Sequence, residues 1–242
     1  MISPLDGGPW LFRDEVSSTQ DVAGQFLVGG GPEIPGIIVA DHQTSGRGRF
    51  GREWFSRPGE SLTMSLVYRA YASHPSPWLI GMAVAVGVAS AIDGQLQWPN
   101  DVVLNGKKVG GILTELLPSS GDDKVPVVGV GVNVNQEEMP PELVGKATSL
   151  LIETGRKQVA RDVAKSIIGR ISDLPEPDSW EEIKSLWAVC DATPGTTYHL
   201  PTGESAEAIC VGPEGQLICL VNGVEQSVLA ADAIFGAPSG EG

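Results

Sequence analysis

An uncharged apolar run from Trp78 to Ile92 restricts the fold of this chain more than any other feature. It is shorter than the ~20 residues needed to cross a bilayer, so it must be buried within protein. Four alanines and two glycines inside it leave little side-chain bulk. That composition suits a helix packed tightly under a sheet. With 242 residues the chain can bury such an element and hold one large domain plus a small one.

Candidate strands surround the run. Residues 36–41 read as a short buried strand, and residues 61–68 alternate, with Leu62, Met64, Leu66 and Tyr68 on one face. Residues 96–98, 110–117 and 125–134 follow. Their β-branched content and short turns predict a mixed or antiparallel sheet with helices on one side, an α+β arrangement. Ser17-Ser18-Thr19 offers an N-cap to an early amphipathic helix, and further helical patterns cover roughly 159–174 and 180–189. From about Asp191 the chain turns to short strands at 197–200, 204–211, 216–221 and 225–229. Asn222-Gly223 between apolar runs is a hairpin signal. A small β-barrel is expected there, dividing the chain into domains 1–190 and 191–242, with a frayed tail at 238–242.

Acidic residues outnumber basic ones by 30 to 16, a formal net charge of -14. Nucleic-acid binding relies on clustered Lys and Arg, so DNA and RNA are excluded as expected partners. Cys190, Cys210 and Cys219 form no CxxC pair and no His/Cys cluster. With no secretory leader pattern, they predict reduced thiols in the cytoplasm and no membrane partner. Cys210 and Cys219 either face each other across a hairpin or fill the core.

Four segments carry chemistry. In Gly46-Arg47-Gly48-Arg49-Phe50-Gly51-Arg52-Glu53-Trp54, arginine forks suited to phosphate and carboxylate alternate with glycines and end on an aromatic face. The segment is either a solvated surface hairpin or a mobile loop closing over an anionic ligand, with Gln43 ahead of it. It is neither a Walker P-loop nor a dinucleotide fingerprint. In Gln97-Trp98-Pro99-Asn100-Asp101, a proline ends a strand and two polar residues follow. That turn serves its own geometry, or Asp101 coordinates a divalent cation or accepts a proton from an amine. Lys107-Lys108 runs into Gly110-Gly111 and an apolar strand. One lysine is thereby placed against the sheet, where an ammonium suits a carboxylate reacting with a phosphate. In Gly129-Val130-Gly131-Val132-Asn133, the glycines mark an interior strand closely approached from one side. Asn133 is structural or reaches a purine.

Taken in order from about residue 10 to 236, these motifs and Ser18-Thr19 resemble the bacterial biotin protein ligases of the BirA type. The resemblance implies a class II aminoacyl-tRNA synthetase-like catalytic domain with a mixed sheet and helices, plus a C-terminal SH3-like β-barrel. It implies ATP and biotin as substrates, joined as biotinyl-5′-AMP, with Mg²⁺ accompanying the ATP phosphates. The acceptor is then a lysine on the biotin carrier domain of an acyl-CoA carboxylase, met by strand pairing at an exposed sheet edge. Monomer and homodimer both stay open. Ser18, Thr19, Gln43, Gly46, Arg47, Arg49, Lys108, Gly110 and Gly111 are implied around biotin. Arg49, Arg52, Trp54, Asn100, Lys108 and Asn133 are implied around ATP or the adenylate. Lys108, Arg49 and Asp101 carry catalysis, Asp101 by activating the acceptor lysine. Metal ligands stay unassigned, with Asp101 or Asn133 as the options.

The chain departs from that pattern at three points: Phe50 where the loop often carries a second basic residue, Gln20 for an asparagine, and Gln97 for a lysine. Its ligase motifs begin close to the N-terminus, so a form lacking the DNA-binding domain of repressor-type members is expected. Lipoate ligases and octanoyltransferases share the fold, and a degenerate binding module is the alternative of another class. The loop and the barrel favour biotin.

Overall fold

The computed structural model describes residues 9–30 and 34–229; the expected frayed tail lies outside them. Seven strands form one mixed sheet: β1 (Trp10–Val16), β2 (Ile37–Gln43), β3 (Ser61–Val67), β4 (Gln95–Gln97), β5 (Asp101–Leu104), β6 (Lys107–Pro118) and β7 (Lys124–Asn133). Their order is β1-β2-β3-β7-β6-β5-β4. β1 lies parallel to β2, and the other neighbours are antiparallel. The helices are α1 (Thr19–Gly29), α2 (Pro77–Ala91), α3 (Leu150–Thr154), α4 (Ala160–Ser172) and α5 (Trp180–Cys190). Neither β1, β5 nor α3 was expected from the sequence.

The apolar run is α2, and every residue from Leu79 to Ala89 is buried. It shares a core with α4, α5 and one face of the sheet, where Leu62, Met64, Val128, Val130 and Val132 point. Any side chain at Gly81 or Gly87 would run into Thr114 of β6 or Ile171 of α4. These two glycines therefore let the helix approach both neighbours closely.

Not all helices lie on that side, contrary to expectation. α1 covers the opposite face, packing Ala23 and Leu27 on Ile38, Val67, Val125 and Val127. Ser18 caps α1 by accepting from the Gln20 amide at 3.3 Å. After Val127, the next residues of β7 on this second face are Gly129, Gly131 and Asn133. The sheet thus carries bulk on both faces at one end and on only one face at the other. A cleft opens where the bulk is missing.

The C-terminal strands β8 (Thr197–His199), β9 (Ser205–Val211), β10 (Leu217–Val221) and β11 (Val224–Val228) form a separate antiparallel sheet in the order β11-β10-β9-β8. Asn222 and Gly223 both take positive φ, 53° and 77°, as a two-residue hairpin turn requires. Cys219 is buried as a core filler, whereas Cys210 is exposed and pairs with Ile218 rather than Cys219. The small sheet grips the large one at Trp98. The Trp98 indole donates to Gly215 O at 2.9 Å, its amide donates to Thr193 Oγ1 at 2.9 Å, and Tyr198 Oη donates to its carbonyl at 2.8 Å. Among the described residues, no helix is long and apolar enough to cross a membrane.

Candidate active site

The cleft has a volume of about 1380 Å³, above the ~300–1,000 Å³ typical of one small ligand. Its floor is the glycine face of β7, and what meets each glycine is now identifiable. A Cβ at Gly129 would touch the Gln20 carboxamide at 3.4 Å, while one at Gly131 would lie 2.5 Å from the Trp54 ring. Asn133 follows on the same face. At ~3.3 Å per residue, these three stations span roughly 13 Å.

The first station is a network of polar side chains at the start of α1. Gln43 Oε1 accepts from the Thr19 amide (2.8 Å) and from Thr19 Oγ1 (3.1 Å), and Thr19 Oγ1 accepts from Ser65 Oγ (2.7 Å). The Gln43 oxygen is thus occupied by Thr19, which orients its amide nitrogen. Gln20, only 4% exposed, donates Nε2 to Leu113 O and Val127 O, both at 3.3 Å. Its Oε1 is buried without a partner. Sequence reasoning treated Gln20 as mere variation; its place beside Ser18-Thr19 was the available signal.

At the centre, Lys108 Nζ lies 2.6 Å from Asp101 Oδ1. Local backbone geometry produces this meeting. β5 pairs Val102 with Gly110 but Val103 with Lys108, so Val109 is an extra residue in β6, a β-bulge. The bulge turns Lys108 onto the face of Gly111 and Asp101. A Cβ at Gly111 would lie 3.5 Å from Lys108 Nζ. Lys107 instead reaches Glu153 at 3.9 Å. Asn100 holds the turn before Asp101 by donating Nδ2 to Ile112 O at 2.8 Å.

The Gly/Arg segment is a closed hairpin over this centre. Gly48 N donates to Arg52 O (2.7 Å), Trp54 N donates to Gly46 O (2.9 Å), and Arg47 bridges to Glu53 across the strands. Its arginines are not equivalent. Arg47 pairs with Asp21 at 2.6 Å and Glu115 at 3.7 Å, fastening the hairpin to α1 and β6. Burial works against the Arg47 charge, but the two carboxylates outweigh it and raise its pKa. Arg49 turns inward and donates Nη1 to Asn100 Oδ1 at 3.4 Å. Burial pushes its guanidinium below the ordinary value, against the pull of Asp101 and with a contribution from Arg52.

At the third station, Asn133 Nδ2 donates to Thr148 O (2.9 Å), and Asn133 Oδ1 accepts from Gln136 Nε2 (3.3 Å). Gln136 also donates to Ser61 Oγ at 2.7 Å. It too lines the cleft, a residue the sequence did not single out. Among the described residues, no three His, Cys, Asp or Glu side chains form a metal cage.

Most of the expected site residues therefore converge: Ser18, Thr19, Gln43, Arg47, Arg49, Arg52, Trp54, Asn100, Asp101, Lys108, Gly111 and Asn133 all line the cleft. Gly46 and Gly110 do not. Gly46 sits against the Trp54 carbonyl at the hairpin base. Gly110 looks the other way, towards Gly131 O, Val102 and Val132, because it alternates with Gly111 along β6. The arrangement offers an amide-lined end, a cationic centre paired with one carboxylate, and an indole laid flat on a glycine strand.

Residues 13–133 match the biotin/lipoate A/B protein ligase family. The chain is 32% identical over 241 residues to the bifunctional ligase/repressor BirA of Bacillus subtilis, covering 93% of this chain and 74% of that one. It is 28% identical to the biotin–[acetyl-CoA-carboxylase] ligase of Mycobacterium tuberculosis, covering 94% and 90%. The solved biotin protein ligase of Aquifex aeolicus in complex with biotin and ATP superposes with a TM-score of 0.71 at 28% identity, covering 95% and 98%.

Proposed function

The chain belongs to the biotin/lipoate A/B protein ligase family, and from that premise we propose that it is an ATP-dependent biotin protein ligase. It forms biotinyl-5′-AMP from biotin and ATP, then transfers biotin to the ε-amine of a lysine on a biotin carrier domain. The observation that carries this reading is the spacing of three stations along β7, with Lys108 and Asp101 between them. One elongated cleft takes two substrates end to end.

Ser18, Thr19, Gln20 and Gln43 receive the polar ring of biotin, and its carboxylate reaches Lys108. Trp54, backed by Gly131, presents its free face to adenine near Asn133. The biotin carboxylate oxygen attacks the α-phosphorus, and the bond to pyrophosphate breaks. Lys108, Arg49 and Arg52 stabilise the anionic centre, with Asn100 holding Arg49 in place. Mg²⁺, held mainly through the ATP phosphates with Asp101 or Asn133 as the protein groups on hand, would offset the charge of the pyrophosphate leaving group. In the second step the acceptor amine attacks the acyl carbon, AMP leaves, and Asp101 takes the amine proton. No protein nucleophile is needed.

The four C-terminal strands fit the SH3-like barrel, with the domain boundary near residues 190/191, and the mixed sheet fits the synthetase-like core. The acceptor carrier, that of an acetyl-CoA or related carboxylase, pairs along β1, the outer strand that leads directly into Ser18. We place the reaction in the cytoplasm, where ATP is supplied. Biotin-dependent exchange of labelled pyrophosphate into ATP, followed by labelling of a carrier domain, tests the assignment. Octanoyl or lipoyl transfer in its place would overturn it.

A further inference from the structure

Phe50 stands at the tip of the hairpin in a conformation its chemistry does not favour. Its backbone lies in the left-handed region, φ 57° and ψ 31°, where a bulky residue is uncommon and held at a cost. Its ring is 57% exposed, so burial does not offset that cost. An outlier of this kind at a ligand loop calls for a functional explanation. What the ring does contact is Arg49, whose guanidinium carbon sits 4.8 Å from the ring centroid. In an extended strand, adjacent residues point to opposite sides. The left-handed turn at Phe50 folds its ring back onto its neighbour. Arg49 is thereby backed by an aromatic face on one side and reaches Asn100 on the other.

We propose that Phe50 is a positioning residue that acts through Arg49, its ring holding the guanidinium turned into the cleft so that the adenylate phosphate meets a cation already aimed. The proposal rests on the ligase reading and deepens it. The guanidinium of Arg49 is held in place by the ring of its neighbour. Retention of the adenylate then depends on a π-face at residue 50 rather than on a charge there.

The test measures release of biotinyl-5′-AMP from the full chain, with release of biotin alone as the internal control. Biotin has no phosphate, so its release should not respond. Phe50→Leu should speed adenylate release about 2- to 5-fold, the scale of a partly exposed cation–π contact, and leave the melting temperature unchanged. Phe50→Tyr and Phe50→Trp should retain slow release. Phe50→Gly, which suits the left-handed turn but has no ring, should behave like the leucine variant. The proposal fails if Phe50→Leu or Phe50→Gly retains the adenylate as wild type does, or if biotin and adenylate release accelerate together. A wild-type chain that binds neither biotin nor biotinyl-5′-AMP overturns the ligase reading itself, and this proposal with it.

Discussion

At the scale of single residues, Lys108 and Gly131 give the sharpest expectations. Lys108→Ala should lower adenylate formation by at least ~100-fold, as losing a preorganised charge does, with thermal unfolding near wild type; pyrophosphate exchange measures the first. Gly131→Ala puts a methyl where the Trp54 ring lies, 2.5 Å from it. Overpacking of this kind costs ~1–3 kcal/mol, so ATP should bind about tenfold more weakly by calorimetry. Biotin affinity, which we propose is set at Gly129 and the start of α1, should change little. Near-wild-type ATP binding would show that the indole is not the platform. The sequence announced something close to the glycine face of β7, but not what it was. Nor could it separate Arg47 from Arg49, because arginines in one loop look alike until Asp21 and Glu115 are placed around the first.

At the scale of elements, α2 was the most legible feature, since an all-apolar run can satisfy itself in few ways. β1 and β5 were hidden for the opposite reason. β1 is an outer strand whose partner lies beyond α1, and β5 is four residues long and emerges from a turn. The connection between β5 and β6 carries a pH dependence. Glu153 accepts from Thr148 Oγ1 (2.6 Å) and Asn105 Nδ2 (2.5 Å), and these bonds hold its carboxyl below the ordinary 4.5. The folded chain therefore takes up this proton less readily than the unfolded one. The stabilisation is complete at neutral pH and is lost as pH falls below about 4.5 towards the folded value. Glu153→Gln should flatten that acid limb in urea titrations; an unchanged slope would exclude the linkage. In α2, Gly87→Ala should destabilise by ~1–3 kcal/mol through Ile171 without altering the affinity for biotin.

At the scale of the whole molecule, the small sheet holds the turn that leads to Asp101. Tyr198 and Gly215 hold Trp98, and three residues after Trp98 comes Asp101. Tyr198→Phe removes one buried hydrogen bond, ~1 kcal/mol, and should slow transfer to the carrier more than adenylate formation. Equal slowing of both steps in single-turnover assays would contradict that role. The composition change near Asp191 made the second unit visible in sequence. Its grip on Trp98 was not visible, because contacts between distant segments leave no local pattern. The bulge in β6 also matters in terms of parity. Side chains along a strand alternate as odd and even numbers do, yet Lys108 and Gly111, three positions apart, share the cleft face because the bulge absorbs Val109. Removing Val109 alone would restore regular pairing and leave Lys108 opposite Val103, still on the cleft side. Straightening the bulge so that Val109 itself faced Val103 would instead turn Lys108 to the core side, taking the proposed catalytic cation out of the cleft with every polar residue of the site still in the chain.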